Sequence, residues 1–237
     1  MKNKNEIAIF LAARTGSKRL PNKHFLEINP KLKVIDLCIL RLKKTKLVNK
    51  IFLCTTKEKN DLKFKKVCTL HNINLFRGSK NNVLKRFIDC AKENNIKTIV
   101  RITADCPIID SKLIDECIKL HYKKNSDYTS NTLKLSFPDG LDVEIVNLNA
   151  LLKSQKISKS IFNNEHVTSH IRKSKIFIKH NFKNIINYGN RRWTLDYLQD
   201  YFFLKKVVKH FSPNIYFSWK DLIKEEKKNK LLINIGR

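Results

Sequence analysis

Ile7-Ala8-Ile9-Phe10-Leu11-Ala12-Ala13-Arg14-Thr15-Gly16-Ser17-Lys18-Arg19-Leu20-Pro21-Asn22-Lys23 is the stretch whose character decides the fold. It opens with an uninterrupted apolar run, the pattern of a strand covered on both faces. The polar segment behind it carries four cations, Arg14, Lys18, Arg19 and Lys23. Gly16 widens the torsions open to the backbone there, and Pro21 stiffens the exit. A loop of this make at the end of a buried strand offers N–H groups and positive charge to one anion, with phosphate the natural guest. Neither the Walker A nor the dinucleotide glycine spacing is present. The plain alternative is a solvated basic turn.

Working outward, the same strand-then-helix rhythm repeats. Val34 to Lys46 reads as a helix, Ile51 to Thr56 as a buried strand, and Asp61 to His71 as a helix. Ile73 to Phe76 follows as a strand ending at Arg77-Gly78. Asn82 to Glu93 is helical, Lys97 to Ala104 a strand, and Ser111 caps a helix to about Tyr122. Four such units predict an α/β fold, a three-layer α/β/α arrangement around a mainly parallel sheet. Ligands of such sheets bind beyond the carboxyl ends of the strands. Two of those ends are chemically loaded, the Arg14–Lys23 loop and Thr103-Ala104-Asp105-Cys106-Pro107. The second half is less regular. Residues 127–131 and 142–146 read as strands about the turn Phe137-Pro138-Asp139-Gly140, and Leu148 to Gln155, Glu165 to Lys173 and Tyr197 to His210 as helices. With no linker or repeat, residues 1–237 are expected to form a single domain.

The chain has 49 Lys and Arg against 21 Asp and Glu, a net charge of +28. Such a balance invites a nucleic-acid reading. The lysines, however, are scattered through every segment, and no Arg cluster is interleaved with base-stacking aromatics. The charge therefore favours small polyanionic substrates and not a nucleic acid. The six cysteines form no CxxC pair and sit in apolar runs, as core residues of a reducing compartment do. Residues 1–6 lead into too short an apolar run for a signal peptide, and no stretch is long enough to span a membrane. A soluble, cytoplasmic protein is expected.

Asp105 stands where a strand must stop before Pro107, facing the basic loop. A carboxylate there suits Mg²⁺, a hard cation that shares itself with phosphates, and equally suits a turn or helix cap. Asp196 precedes a helical pattern, and Asp200, one turn on, reads as a cap of that helix. Strand alternation places Asp142 and Glu144 on one side after the Asp139-Gly140 turn. His166 and His170, four apart, fall on one face of the expected helix, but without the Glu order of a zincin.

These residues together carry a resemblance. Ala13-Arg14-x-Gly16-Ser17-x-Arg19-Leu20-Pro21-x-Lys23 resembles the signature loop of the sugar cytidylyltransferases, which include the 3-deoxy-manno-octulosonate and acylneuraminate enzymes. The chain is most similar to their SpsF-like relatives of spore coat polysaccharide biosynthesis. The likeness extends through Phe76-Arg77-Gly78 with Val83-Leu84-x-Arg86, Val100-Arg101-Ile102-Thr103-x-Asp105-Cys106-Pro107, Phe137-Pro138-Asp139-Gly140-Leu141-Asp142-Val143-Glu144, Glu165-His166-Val167-Thr168 and Arg192-x-Thr194-Leu195-Asp196. The resemblance implies a nucleotide-diphospho-sugar transferase (GT-A-like) fold, CTP as donor, a sugar acid as acceptor, Mg²⁺ as cofactor and a homodimer. By it Arg14, Ser17, Arg19 and Lys23 hold the triphosphate, with Arg77, Arg86 and Thr103 also on the nucleotide side. Asp105 and Asp196 match the metal-binding aspartates, and Arg14 and Lys23 join them as catalytic groups. Asp139, Asp142, Glu144, Glu165 and His166 fall to the acceptor side, and residues about 127–190 to acceptor binding and oligomerisation. The octulosonate enzymes carry a Gln-containing sequence where this chain has Arg101-Ile102-Thr103. A nucleotidyltransferase acting on a sugar phosphate or polyol, with CTP or another nucleotide, shares the same loop and aspartates. A basic nucleic-acid-binding protein is the remote alternative.

Overall fold

β1 (Ile7–Ala12) alternates its side chains into two separate cores. Ile7, Ile9 and Leu11 join one buried cluster, while Ala8 and Phe10 join the other. A strand feeding two cores must have a layer on each face, which is the three-layer arrangement expected from the sequence. The computed structural model describes residues 6–158 and 160–235. The leader reading of residues 1–5 lies outside them.

Around β1 the sheet grows in both directions. β4 (Ile51–Thr56) and β6 (Thr98–Thr103) flank it in parallel, and β5 (Asn74–Gly78) lies outside β4. The connecting helices are α1 (Val34–Leu42), α2 (Lys63–Leu70) and α3 (Val83–Glu93). α3 buries Leu84, Phe87, Ile88 and Ala91, the 3.6-residue stripe of a helix laid on a sheet. Phe87 meets Phe10 edge-to-face at 5.4 Å. Burial of one such side chain contributes about 1.5–3 kcal/mol. α4 (Ser111–Lys123) follows β6, and its N-cap is Asp110, not Ser111, because the Asp110 carboxylate accepts the Lys112 and Leu113 N–H groups. All six cysteines are free and buried.

Beyond β6 the strand direction changes. β8 (Glu144–Asn147) runs antiparallel to β6, β7 (Tyr128–Ser130) antiparallel to β8, and β9 (Lys179–Asn181) completes the edge. The full order is β5-β4-β1-β6-β8-β7-β9. Its register sets Arg101 opposite Glu144. A small hairpin, β2 (Glu27–Asn29) with β3 (Leu32–Lys33), stands apart. α4 packs on β7 and β8, α5 (Leu148–Ile157) on β8, and α8 (Leu198–Phe211) on β2, with α9 (Trp219–Glu226) near the end of the chain.

The helix expected over Glu165 to Lys173 is two short ones, α6 (Ile161–Glu165) and α7 (Ser169–Lys173). Between them Val167 adopts φ 52°, a left-handed conformation that a β-branched residue reaches only against strain. His166 and His170 therefore do not share a helix face. His166 packs on Phe162, ring centroids 4.4 Å apart, and His170 Nδ1 meets Ser154 Oγ at 3.1 Å. No described helix is long and apolar enough to cross a membrane.

Candidate active site

The loop after β1 and the turn after β6 lie side by side because β1 and β6 are neighbours. A third segment joins them through the backbone. Leu195 N–H donates to Asp105 O at 2.7 Å, which sets Asp196 beside Asp105. Farther along, Asp139 N–H donates to Arg191 O at 2.9 Å and Trp193 N–H to Asp139 O at 2.6 Å. Gly140 makes this clasp close: its φ is +106°, and a Cβ would stand 2.5 Å from the Trp193 carbonyl carbon.

Lys23 is the meeting point. Its Nζ donates to Asp105 Oδ2 at 3.2 Å, Asp196 Oδ1 at 3.0 Å and Leu195 O at 2.8 Å. Asp196 is also paired with Arg19 at 2.8 Å and with Arg192 at 3.1 Å. Arg19 lies over the Tyr197 ring, 5.2 Å from its centroid. Burial works against ionisation of Asp105, but the Lys23 charge and the Thr103 hydroxyl outweigh it and hold the carboxyl below its ordinary range. His24, behind Lys23, is pushed down to about 4 by burial and by the Lys23 charge, so it is neutral.

Arg192 is the residue that sequence reading left without a role. It binds Asp139 at 3.0 Å, Asp196 at 3.1 Å and Asp200 at 3.2 Å. Asp200 in turn accepts the Asp196 and Tyr197 N–H groups at 2.9 Å, the cap expected of it. Asp139 also accepts from Thr194 Oγ1 at 2.7 Å. This acid, expected on the acceptor side, is thus a brace between two segments. The signal was present, since Arg192 and Thr194 belong to the same motif as Asp196.

Other expected residues are placed elsewhere. Arg77 gives its guanidinium to the carbonyls of Thr56, Lys57 and Glu58, tying β5 to the end of β4. Arg86 is buried and donates to Ser79 O and Cys54 O. The structure makes supports of both arginines, where the sequence suggested nucleotide contacts. Glu144 is buried and bound by Arg101, Tyr128 and Thr168, and it lines a cavity at His166. Ser17 Oγ accepts Leu20 N–H at 3.3 Å, and Thr103 Oγ1 meets Cys106 Sγ at 3.4 Å. Arg14 is exposed and reaches Glu165 at 3.8 Å. Gly16 has no left-handed backbone, and nothing lies within 4 Å of where a Cβ would be. Its space faces outward, as a loop approached closely by a ligand requires.

Asp142 contrasts with Asp105. Burial first, then the charges of Asp139 and Glu144, push its carboxyl up to about 7. This cavity, of about 410 Å³, opens beside His166 and is lined by Arg101, Glu144, Thr168, Ser169, Arg172 and Lys173. No group of three or more His, Cys, Asp or Glu forms a metal cage among the described residues. Two ionisable carboxylates, Asp105 and Asp196, do share one cation, the Lys23 ammonium. That donor set fits Mg²⁺, which typically takes one or two carboxylates and completes its shell from phosphates and water.

A strand-end loop rich in cations thus lies beside paired aspartates. The profile of the cytidylyltransferase family matches residues 8–234, and the chain belongs to that family. It is 31% identical to a cytidylyltransferase of solved structure from Leptospira borgpetersenii serovar Hardjo-bovis, covering 98% of each chain with a TM-score of 0.92. It is 28% identical over 86% of its length to the spore coat polysaccharide biosynthesis protein SpsF of Bacillus subtilis, of which it covers 87%. CMP:2-keto-3-deoxy-manno-octonic acid synthetase, solved with CTP, shares the fold at 10% identity, with a TM-score of 0.64 over 86% of this chain and 99% of that one.

Proposed function

We propose that this cytidylyltransferase transfers CMP from CTP to a sugar acid of the nonulosonate or octulosonate type, releasing pyrophosphate, in the making of a surface polysaccharide or glycan. The cavity at His166 carries this reading: Arg172 and Lys173 on its wall offer cations to a carboxylate, and the exposed His166 offers a ring nitrogen to a polyol. The acceptor hydroxyl attacks the α-phosphorus in line, the bond to the β-phosphate oxygen breaks, and the hydroxyl proton passes to solvent. Such a displacement asks the protein for placement and charge neutralisation more than for covalent chemistry.

Arg14, Arg19 and Lys23, with Ser17 and the open side of Gly16, take the triphosphate and neutralise charge gathering on pyrophosphate. Asp105 and Asp196 would hold Mg²⁺, which when bound polarises the α-phosphate and lowers the pKa of the attacking hydroxyl. Thr103 orients Asp105. Asp142, Glu165 and His166 face the acceptor. The protein works as a homodimer in the cytoplasm, its irregular part supplying the contact.

The test is pyrophosphate release with the four nucleoside triphosphates against sugar acids, sugar phosphates and polyols. Turnover with CTP and a sugar acid is expected. Turnover only with a sugar phosphate or a polyol would transfer the reading to that acceptor class.

A further inference from the structure

Asp61 lies outside every motif of the site, in the 3₁₀ turn Lys59–Leu62 behind β4. It is 2% exposed. Its Oδ1 accepts both the Thr15 N–H and the Thr15 hydroxyl at 2.7 Å. Its Oδ2 accepts the Thr56 N–H at 3.3 Å and the Thr56 hydroxyl at 2.5 Å. One carboxylate thus joins the residue after Arg14 to the last residue of β4. Burial raises its proton affinity, yet the hydrogen bonds from Thr56 and Thr15 outweigh that and hold the carboxyl below its ordinary range.

A permanent negative charge under a loop that receives a triphosphate is unfavourable for binding by Coulomb's law alone. Its value must lie in geometry. Within the loop the backbone bonds are local, Ser17 N–H to Thr15 O at 2.9 Å and Leu20 N–H to Ser17 Oγ at 3.3 Å. Among the described residues, the Thr15–Asp61 bond is the backbone tie that carries residues 14–20 to another element. Gly16 adds no restraint of its own, since its surroundings are open.

We propose that Asp61 is a positioning residue for the triphosphate loop: by fixing Thr15 it sets the direction in which Arg14 and residues 16–19 meet CTP. The proposal rests on the reading of this loop as the phosphate site. Asp115 supplies the comparison, because it is also buried and also ties a loop backbone, accepting the Lys46 and Leu47 N–H groups, but at a distance from the site.

The experiment measures steady-state kinetics and thermal unfolding of Asp61→Asn, Thr15→Val, their double variant, Asp115→Asn and Arg19→Ala. Asp61→Asn is expected to raise KM for CTP about tenfold or more, with the acceptor KM unmoved. Thr15→Val, a milder change in a partly exposed loop, is expected to raise it about threefold, and the double variant to match Asp61→Asn, as residues acting through one contact do. Asp115→Asn is expected to lose stability without a change in KM. An unchanged KM for CTP in Thr15→Val and in folded Asp61→Asn would overturn the proposal, as would an equal rise in Asp115→Asn. An unchanged KM in Arg19→Ala would instead bring down the reading of the loop itself.

Discussion

Residues 7–123 and residues 124–235 share one sheet and build it by different rules. In the first region, the β2–β3 hairpin apart, each strand returns through a helix to lie parallel with its neighbours, and β1 and β4 have both faces covered. In the second, the strands are three or four residues long, and β8 turns against β6. The first region is held by apolar runs that would fold so in many contexts. The second also buries apolar side chains, Tyr128, Ile145, Trp193 and Leu204 among them, and adds ion pairs, Arg101 with Glu144 and Arg192 with three aspartates. The two treat carboxylates oppositely: Asp105 is kept ionised by Lys23, whereas Asp142 is left among other acids and pushed up to about 7.

The largest effect should come from breaking the junction of the regions. Asp105→Asn and Asp196→Asn are each expected to lower pyrophosphate release at least about a thousandfold while the fold persists. The double variant should be hardly worse than either single, because groups acting as a unit are non-additive. A mere helix-capping role for Asp196 would instead cost about 0.5–2 kcal/mol of stability with near-normal turnover.

The carboxylate contrast gives the next effect. A carboxyl raised in the folded state favours folding below its unfolded value near 3.8, and that advantage is lost as pH rises through about 7. Asp142→Asn should therefore gain stability relative to the parent between pH 4 and 7, by on the order of 4 kcal/mol, and level off above. Denaturant midpoints across that range measure it; a constant difference would mean Asp142 is solvated like an ordinary surface acid.

Arg19→Ala and Arg172→Ala set region against region. The first should weaken CTP binding by roughly 1.5–3 kcal/mol without changing the acceptor KM, and the second should do the reverse. Arg172 also donates to Thr132 and Tyr128, so its variant should unfold earlier. Calorimetry with CTP and kinetics with the acceptor separate the two, and matching losses in both would erase the division of labour. The smallest effect is global: kcat/KM for CTP should fall with ionic strength as steering by the +28 charge is screened. A flat profile would leave local geometry as the only electrostatics that matters.

The same division explains what could be read in advance. The strands at 7–12, 51–56 and 98–103, with their helices, were legible because each announces itself by local periodicity. The short strands β2, β3 and β9 were not, since two or three residues carry no period and exist only through their partners. α9 was missed although Ser218 and Asp221 form a capping box before Leu222 and Ile223, a signal that was there to find. The split of the 165–173 helix falls at buried Val167, within the weak helix formers His166 to Ser169. In the site, Lys23, Asp105 and Asp196 were named together from their motifs. Arg77, Arg86 and Asp139 had the right motifs but other partners, because a motif fixes a residue type and not the direction of its side chain.

Lys23 reaches Asp105 across 82 positions of chain and Asp196 across 173. Few arrangements close loops so long around one atom, and such closures are entropically late in folding. On the ribosome the first region emerges complete with its cationic loop long before Asp196 exists. During that interval Lys23 has only Asp105, and the clasp from 191 to 196 is missing. The Lys23 junction is thus closed only by a segment near the end of the chain, so no fragment ending before residue 196 carries a complete copy of it.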